Sequence, residues 1–187
     1  MTTEPAGPEP AQAPASEPEA PLPRRRVGLL LIVGIAIFAL DLVSKVIVVE
    51  TLSERPPLRL LGGLFYLTEA RNTGAAFGLA EGMTVVFTLV AAGVIVVILR
   101  TAPRLRSPGW AWSLGLIVGG ALGNLVDRIF RSPGVFRGGV VDFISFLDPA
   151  GQVWPIFNVA DSAIVCGGLI GVLLAFRGRE FDGGRSG

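Results

Sequence analysis

The chain has 187 residues, 51% of them hydrophobic and 17% charged, with a formal net charge of +1 and a mean hydropathy of +0.62. That profile excludes an ordinary soluble globular domain, and so small a net charge gives no reason to invoke a nucleic acid partner. With no histidine and one cysteine, a Ser-His-Asp triad, a Cys-His pair and a histidine-ligated zinc are all excluded.

Residues 1–26 open the chain with Pro, Ala and Glu and scattered Ser and Thr, ending in Arg24, Arg25 and Arg26. Such a composition buries too little apolar surface to offset its ordering entropy, so it reads as a disordered tail. Four apolar runs follow, each long enough to cross a bilayer as a helix: Val27 to Val49, Met83 to Leu99, Trp110 to Phe130 and Pro155 to Phe176. The first resembles a signal-peptide core, but it continues past Asp41 without a small-residue cleavage site and is read as an uncleaved span. Residues 177–187 form a short second tail.

Between the spans, Leu64 to Ala70 and Gly139 to Phe146 are rich in aromatic and β-branched residues with glycines nearby. They are expected to form a small β element on one surface of the bundle; the alternative is a pair of apolar loops lying in the interface. If the spans alternate, nine arginines fall on one side (Arg24, Arg25, Arg26, Arg100, Arg104, Arg106, Arg177, Arg179 and Arg185) and six on the other. The nine directly abut spans, with few acids among them, so both termini are expected to be cytoplasmic. Residues 50–82 and 131–154 would then face outward.

Carboxylates close to hydrocarbon are costly and mark functional sites. In helices rising 1.5 Å per residue, Asp41 lies about 21 Å and Asp127 about 25 Å along outward-running spans, while Asp161 lies about 9 Å into an inward-running one. All three converge on the outer third, and Asp142, in the loop joining the last two spans, can fold back to the same level. Asp41 has Lys45 one helical turn away, and Asp127 has Arg128 beside it and Asn124 on the same face. These two are read as a polar clamp, with a direct chemical role left open.

Asp142 and Asp161 have no cation within four residues and are embedded in apolar sequence. Burial raises the proton affinity of a carboxylate, and a second carboxylate nearby raises one of the two further. Such a pair titrates as a unit and can divide the work of peptide hydrolysis: one takes a proton from water while the other polarises the scissile carbonyl and protonates the leaving amine. A Ser44–Lys45 dyad is disfavoured because adjacent helical residues point apart. Cys166 is read as a small packing residue, and Gly119, Gly120 and Gly123 as permitting close approach of a neighbouring helix. The competing reading is a small transporter or proton-conducting protein with a relay through Asp41, Asp127 and Asp161, but the inner halves of the spans offer the relay nothing ionisable. A non-catalytic assembly subunit would leave the clustered carboxylates unexplained.

Five segments, Asp41-Leu42-Val43-Ser44-Lys45, Arg71 to Gly78, Gly119 to Arg128, Val140 to Phe143 and Phe157 to Ser162, together resemble the ordered signature of the lipoprotein signal peptidase family, also called signal peptidase II. The resemblance implies an all-α membrane fold of four transmembrane helices over residues 27–176 with a small extracytoplasmic β cradle. It also implies a bacterial intramembrane aspartyl protease that removes signal peptides from prolipoproteins, cutting before a diacylglyceryl-modified cysteine. Carried onto this chain, the family's catalytic dyad falls on Asp142 and Asp161. Asn72, Asn124, Arg128 and Asn158 match polar positions around dyad and substrate, and Asp41, Lys45 and Asp127 match supporting ones. The implied partners are prolipoproteins and membrane lipid, with no metal or organic cofactor, and the protein is expected to act as a monomer.

Overall fold

The computed structural model describes residues 23–73, 83–132 and 134–184. Residues 1–22 of the tail expected over residues 1–26, and the Gly74 to Gly78 part of the second motif, lie outside the described residues. Four helices carry the four apolar runs: α1 (Val27–Leu52), α2 (Met83–Thr101), α3 (Pro108–Phe130) and α4 (Val159–Phe176). Each is long and apolar enough to cross a membrane. Large side chains such as Ile32, Leu89 and Leu169 point outward, roughly two-thirds exposed, as they must in helices whose solvent is lipid.

The third helix is the hub and packs against the other three. Its buried face is built from small residues, among them Ala111, Ser113, Gly115, Gly119, Gly120 and Gly123. Without a hydrophobic drive between helices in lipid, close backbone approach and van der Waals contact hold them together. At Gly120 a β-carbon would run into the Ala160 carbonyl of α4, and at Gly123 into the Asp41 carboxylate of α1. Gly120→Ala should therefore destabilise the bundle by about 1–3 kcal/mol, seen as a lower unfolding temperature in detergent; an unchanged melt would mean that α4 is free to move away.

Two helix starts differ from expectation. α3 begins at Pro108, whose missing N–H costs nothing in the first turn. α4 begins at Val159 rather than Pro155, because Asn158 caps it: the Asn158 side chain accepts from the Asp161 N–H at 2.8 Å and the Asp161 side chain accepts from the Asn158 N–H at 3.2 Å. This reciprocal capping box satisfies two otherwise orphaned donors and ends the extended segment before it. Asp161 thus sits in the first turn, shallower than a start at Pro155 implied.

Three antiparallel strands, β1 (Leu58–Leu60), β2 (Phe65–Asn72) and β3 (Val140–Phe146), form a sheet in that order. The β element was expected from β2 and β3; β1, three residues long, carried too little pattern to be read. Val141 and Phe143 pack against Val48 of α1, so strand alternation turns Asp142 to the opposite face.

Pairing runs Phe65↔Phe146 and Leu67↔Ile144, then shifts to Ala70↔Asp142 and Asn72↔Val140. The bulge between Leu67 and Ala70 inserts one extra residue on β2, which reassigns faces beyond it. An unbroken register would have set Glu69 opposite Asp142. The bulge instead sets Ala70 there and brings Asn72 diagonally across on the same face, while Glu69 turns away to Ser53 and to Arg71 at 2.5 Å.

Candidate active site

Backbone pairing brings the two aspartate segments together. Phe157 bridges to Ile144 of β3, with Ile144 N–H to Phe157 O at 2.8 Å and Phe157 N–H to Ile144 O at 2.9 Å. The next residue caps α4, so Asp161 arrives beside Asp142 because one segment is tied to β3 at one end and starts a helix at the other.

Asn158, fully buried, joins the pair. Its Nδ2 donates to Asp142 Oδ1 at 2.6 Å, to Asn124 Oδ1 at 3.1 Å and to the Val141 carbonyl at 3.3 Å. Asn72 Nδ2 donates to the other Asp142 oxygen at 3.0 Å, and Asn124 Nδ2 donates to Asp161 Oδ1 at 2.8 Å. Three asparagines from three elements thus hold two carboxylates. Asp142 is 2% exposed, whereas Asp161 is half-buried. Burial, and then the charge of Asp161, push the Asp142 carboxyl up to about 7 against the opposing hydrogen bonds from Asn72 and Asn158 and the charge of Lys45.

Behind the pair lies an ionic cluster. Lys45, 0% exposed, reaches Asp41 Oδ2 at 2.7 Å, Asp127 Oδ2 at 2.9 Å and Asn124 Oδ1 at 3.0 Å. Asp41 Oδ1 accepts from the Ala160 N–H at 2.9 Å, and Asp127 Oδ2 from the Val141 N–H at 3.2 Å. Through those two amides the cluster holds the residues next to Asp142 and Asp161, and Lys45 ties Asp41 of α1 to Asp127 of α3. A lysine offers only donors, which requires the Asn124 carbonyl oxygen to face Lys45 and its amide nitrogen to face Asp161.

Two neighbour assignments are corrected. Asp127 pairs with Arg131 and not with Arg128, because side chains one residue apart on a helix diverge while those four apart meet. Arg131 is therefore legible at that spacing. Arg128 instead stacks over the Phe87 ring of α2 at 5.7 Å, with Asp142, Asp161 and Asp127 as the acids that act on it. Its Nη1 is buried without a hydrogen-bond partner among the described residues. Phe87 had no sequence signal beyond an apolar residue in a span. Cys166 is also corrected: it is exposed, because Gly167 takes the face toward Ser113 of α3.

Two openings meet at Asn72, Pro155 and Ile156. One, of about 260 Å³, lies over Asp142 beside Arg71 and Thr73; the other, of about 590 Å³, runs past Asp161 and Ser162 toward Val165 and Cys166 on the outer face of α4. The first is lined about equally by polar and apolar groups, the second mostly by apolar ones. The Lys45 cluster and the Asp142–Asp161 pair occupy one end of the bundle, and no ionisable chain among the described residues extends from them across it, as a relay would need.

The sequence profile of the signal peptidase (SPase) II family matches residues 33–177. A lipoprotein signal peptidase of Streptomyces griseus is 52% identical over 160 residues, covering 86% of this chain and 79% of that protein. One from Mycobacterium tuberculosis is 48% identical over 168 residues, covering 90% and 81%. A solved structure described as a bacterial membrane enzyme superposes with a TM-score of 0.71 at 24% identity, covering 84% of this chain and 99% of its own; a second gives 0.68 at 23% identity over 84% and 93%.

Proposed function

The chain belongs to the signal peptidase II family of membrane peptidases, and from that premise we propose that it is an intramembrane aspartyl endopeptidase with Asp142 and Asp161 as its dyad. Its substrates are prolipoproteins, cut just before a cysteine that carries diacylglyceryl. The observation that carries this reading is the convergence of two carboxylates on one asparagine, at the junction of two openings, one of mixed polarity and one mostly apolar. Both termini face the cytoplasm and the site lies near the outer face, a placement supported by the arginines that flank the spans.

A group titrating near 7 is about half protonated at neutral pH, so Asp142 is the member that begins as the acid. Asp161 then takes a proton from the attacking water. Asp142 polarises the scissile carbonyl as water adds, protonates the departing amine, and recovers its proton from its partner. Asn72, Asn124 and Asn158 keep the carboxylates aimed, and the unpartnered Arg128 Nη1 is available to a substrate carbonyl or to the developing oxyanion. The groove past Val165 and Cys166 suits an acyl chain of the lipidated cysteine.

Purified protein in detergent should cleave a diacylated precursor peptide and leave its unacylated twin intact. Equal cleavage of both would remove the lipid from the substrate definition, and cleavage of neither would defeat the reading. Turnover should also fall as pH rises through about 7, when Asp142 loses the proton it must donate. A kcat profile flat from pH about 6 to about 9 would take the acid role away from Asp142.

A further inference from the structure

The end of the bundle remote from the dyad holds a second built feature. Beyond α4 the chain turns back across the start of α3: Trp110 Nε1 donates to the Arg179 carbonyl at 2.8 Å, and the Phe181 carbonyl accepts from the Arg106 and Ser107 N–H groups at 3.1 and 3.3 Å. The Trp110 and Phe181 rings pack at 6.4 Å. This strap and the turn after α2 border an open groove of about 490 Å³ lined by Arg104, Trp110, Arg179, Glu180, Phe181 and Asp182.

The groove lies where three spans meet the bilayer boundary. Phe176, 87% exposed, and Val172 and Leu173, about half exposed, lead from it along the lipid-facing side of α4. Arg24, Arg25, Arg26, Arg100, Arg104, Arg177 and Arg179 are exposed at this end, and Arg106 is partly so, against Glu180 and Asp182 among the described residues. One Asp182 oxygen accepts the Gly184 N–H at 3.0 Å.

We propose that this groove binds the headgroup of an anionic, hydroxyl-bearing phospholipid of the phosphatidylglycerol type. The Arg104 and Arg179 guanidinium groups face the phosphate, which they match in fork geometry. The second Asp182 oxygen accepts a headgroup hydroxyl, Trp110 sits at the level of the interface, and the acyl chains run along Val172, Leu173 and Phe176. A choline or ethanolamine headgroup, neutral overall, would leave the excess of arginines at this end uncompensated and is disfavoured.

The test uses the full chain in micelles, titrated with phosphatidylglycerol or phosphatidylcholine while thermal unfolding is followed. Phosphatidylglycerol should raise the midpoint by roughly 3–6 °C at about ten times its dissociation constant, and phosphatidylcholine should not. The Arg104→Gln/Arg179→Gln double variant should bind phosphatidylglycerol roughly 30-fold more weakly while keeping its lipid-free melt and its peptide cleavage rate. An Arg55→Gln/Arg137→Gln control at the opposite end should respond like the parent. Equal shifts with both lipids, or an undiminished response in the double variant, would overturn the proposal. If the double variant melts early without lipid, Arg179→Gln alone repeats the test, since the backbone carbonyl of Arg179, not its side chain, accepts the Trp110 bond.

Discussion

Replacing either Asp142 or Asp161 by asparagine is expected to lower cleavage of a lipidated precursor by on the order of 10²–10⁴-fold while leaving the chain folded. Asparagine keeps the size of the side chain and one acceptor oxygen, but it can neither take a proton from water nor give one to an amine. The folded state can be checked by a stability signature of opposite sense. In the folded chain Asp142 titrates at about 7, against an ordinary value of 3.8. The folded form therefore holds a proton there that the unfolded chain has released, and this contribution to stability is fully present below about 4 and lost as pH rises through about 7. Three units correspond to a ceiling of about 4 kcal/mol. Asp142→Asn has no proton to lose, so its unfolding temperature should gain on that of the parent between pH about 4 and about 8. A variant that is inactive and melts early at every pH would mean misfolding; one that keeps full turnover would remove that aspartate from the dyad.

The largest loss of stability should follow Lys45→Met. The ammonium is the shared partner of Asp41 and Asp127, which are 0% and 1% exposed, and its removal leaves Asp41 with a buried, unpaired charge and Asp127 with Arg131 alone. Breaking a buried ion pair from one side costs about 3–5 kcal/mol, or roughly 10 °C in unfolding temperature for a domain of this size. The cause is tested by neutralising the acids as well. The triple variant Lys45→Met/Asp41→Asn/Asp127→Asn keeps acceptors for the Ala160 and Val141 N–H groups and removes the stranded charges, so it should recover most of the stability. A triple variant no better than the single one would mean that lysine packing, not charge, is what the site requires. Asp41→Asn alone should show a milder loss of folded yield and a partial loss of activity, because Lys45 retains Asp127.

How much of this could be read from residues alone depends on the range over which each feature is decided. The four spans follow from runs of apolar residues whose transfer into lipid is favourable residue by residue, and the structure carries all four. The strands β2 and β3 followed from local β-branched and aromatic content, whereas β1 was too short to leave a pattern. Asp41 with Lys45 lies within one helical turn and was legible. Asp127 with Arg131 has the same spacing, but the adjacent Arg128 drew the assignment away from it.

The bulge between Leu67 and Ala70 lay beyond sequence, and it is what puts Asn72 rather than Glu69 on the face of Asp142. The orientation of Cys166 was set by which side of α4 the glycines give to α3. Asn158 was legible as a polar residue at a helix start, but not as the hinge of the site. Its four partners come from β3, α3 and its own helix, up to 34 residues away in the chain.

Composition and order along the chain determined the solvent of the fold, the number of helices, and which acids lacked a nearby cation. Tertiary structure decided which of those acids share an asparagine, which buried arginine keeps a donor unpartnered among the described residues, and where the openings meet. The division has a physical basis. Hydropathy and helical spacing act over a few residues, but a hydrogen bond bridging 70 residues, as between Asn72 and Asp142, exists only once packing and strand register have brought its ends within 3 Å.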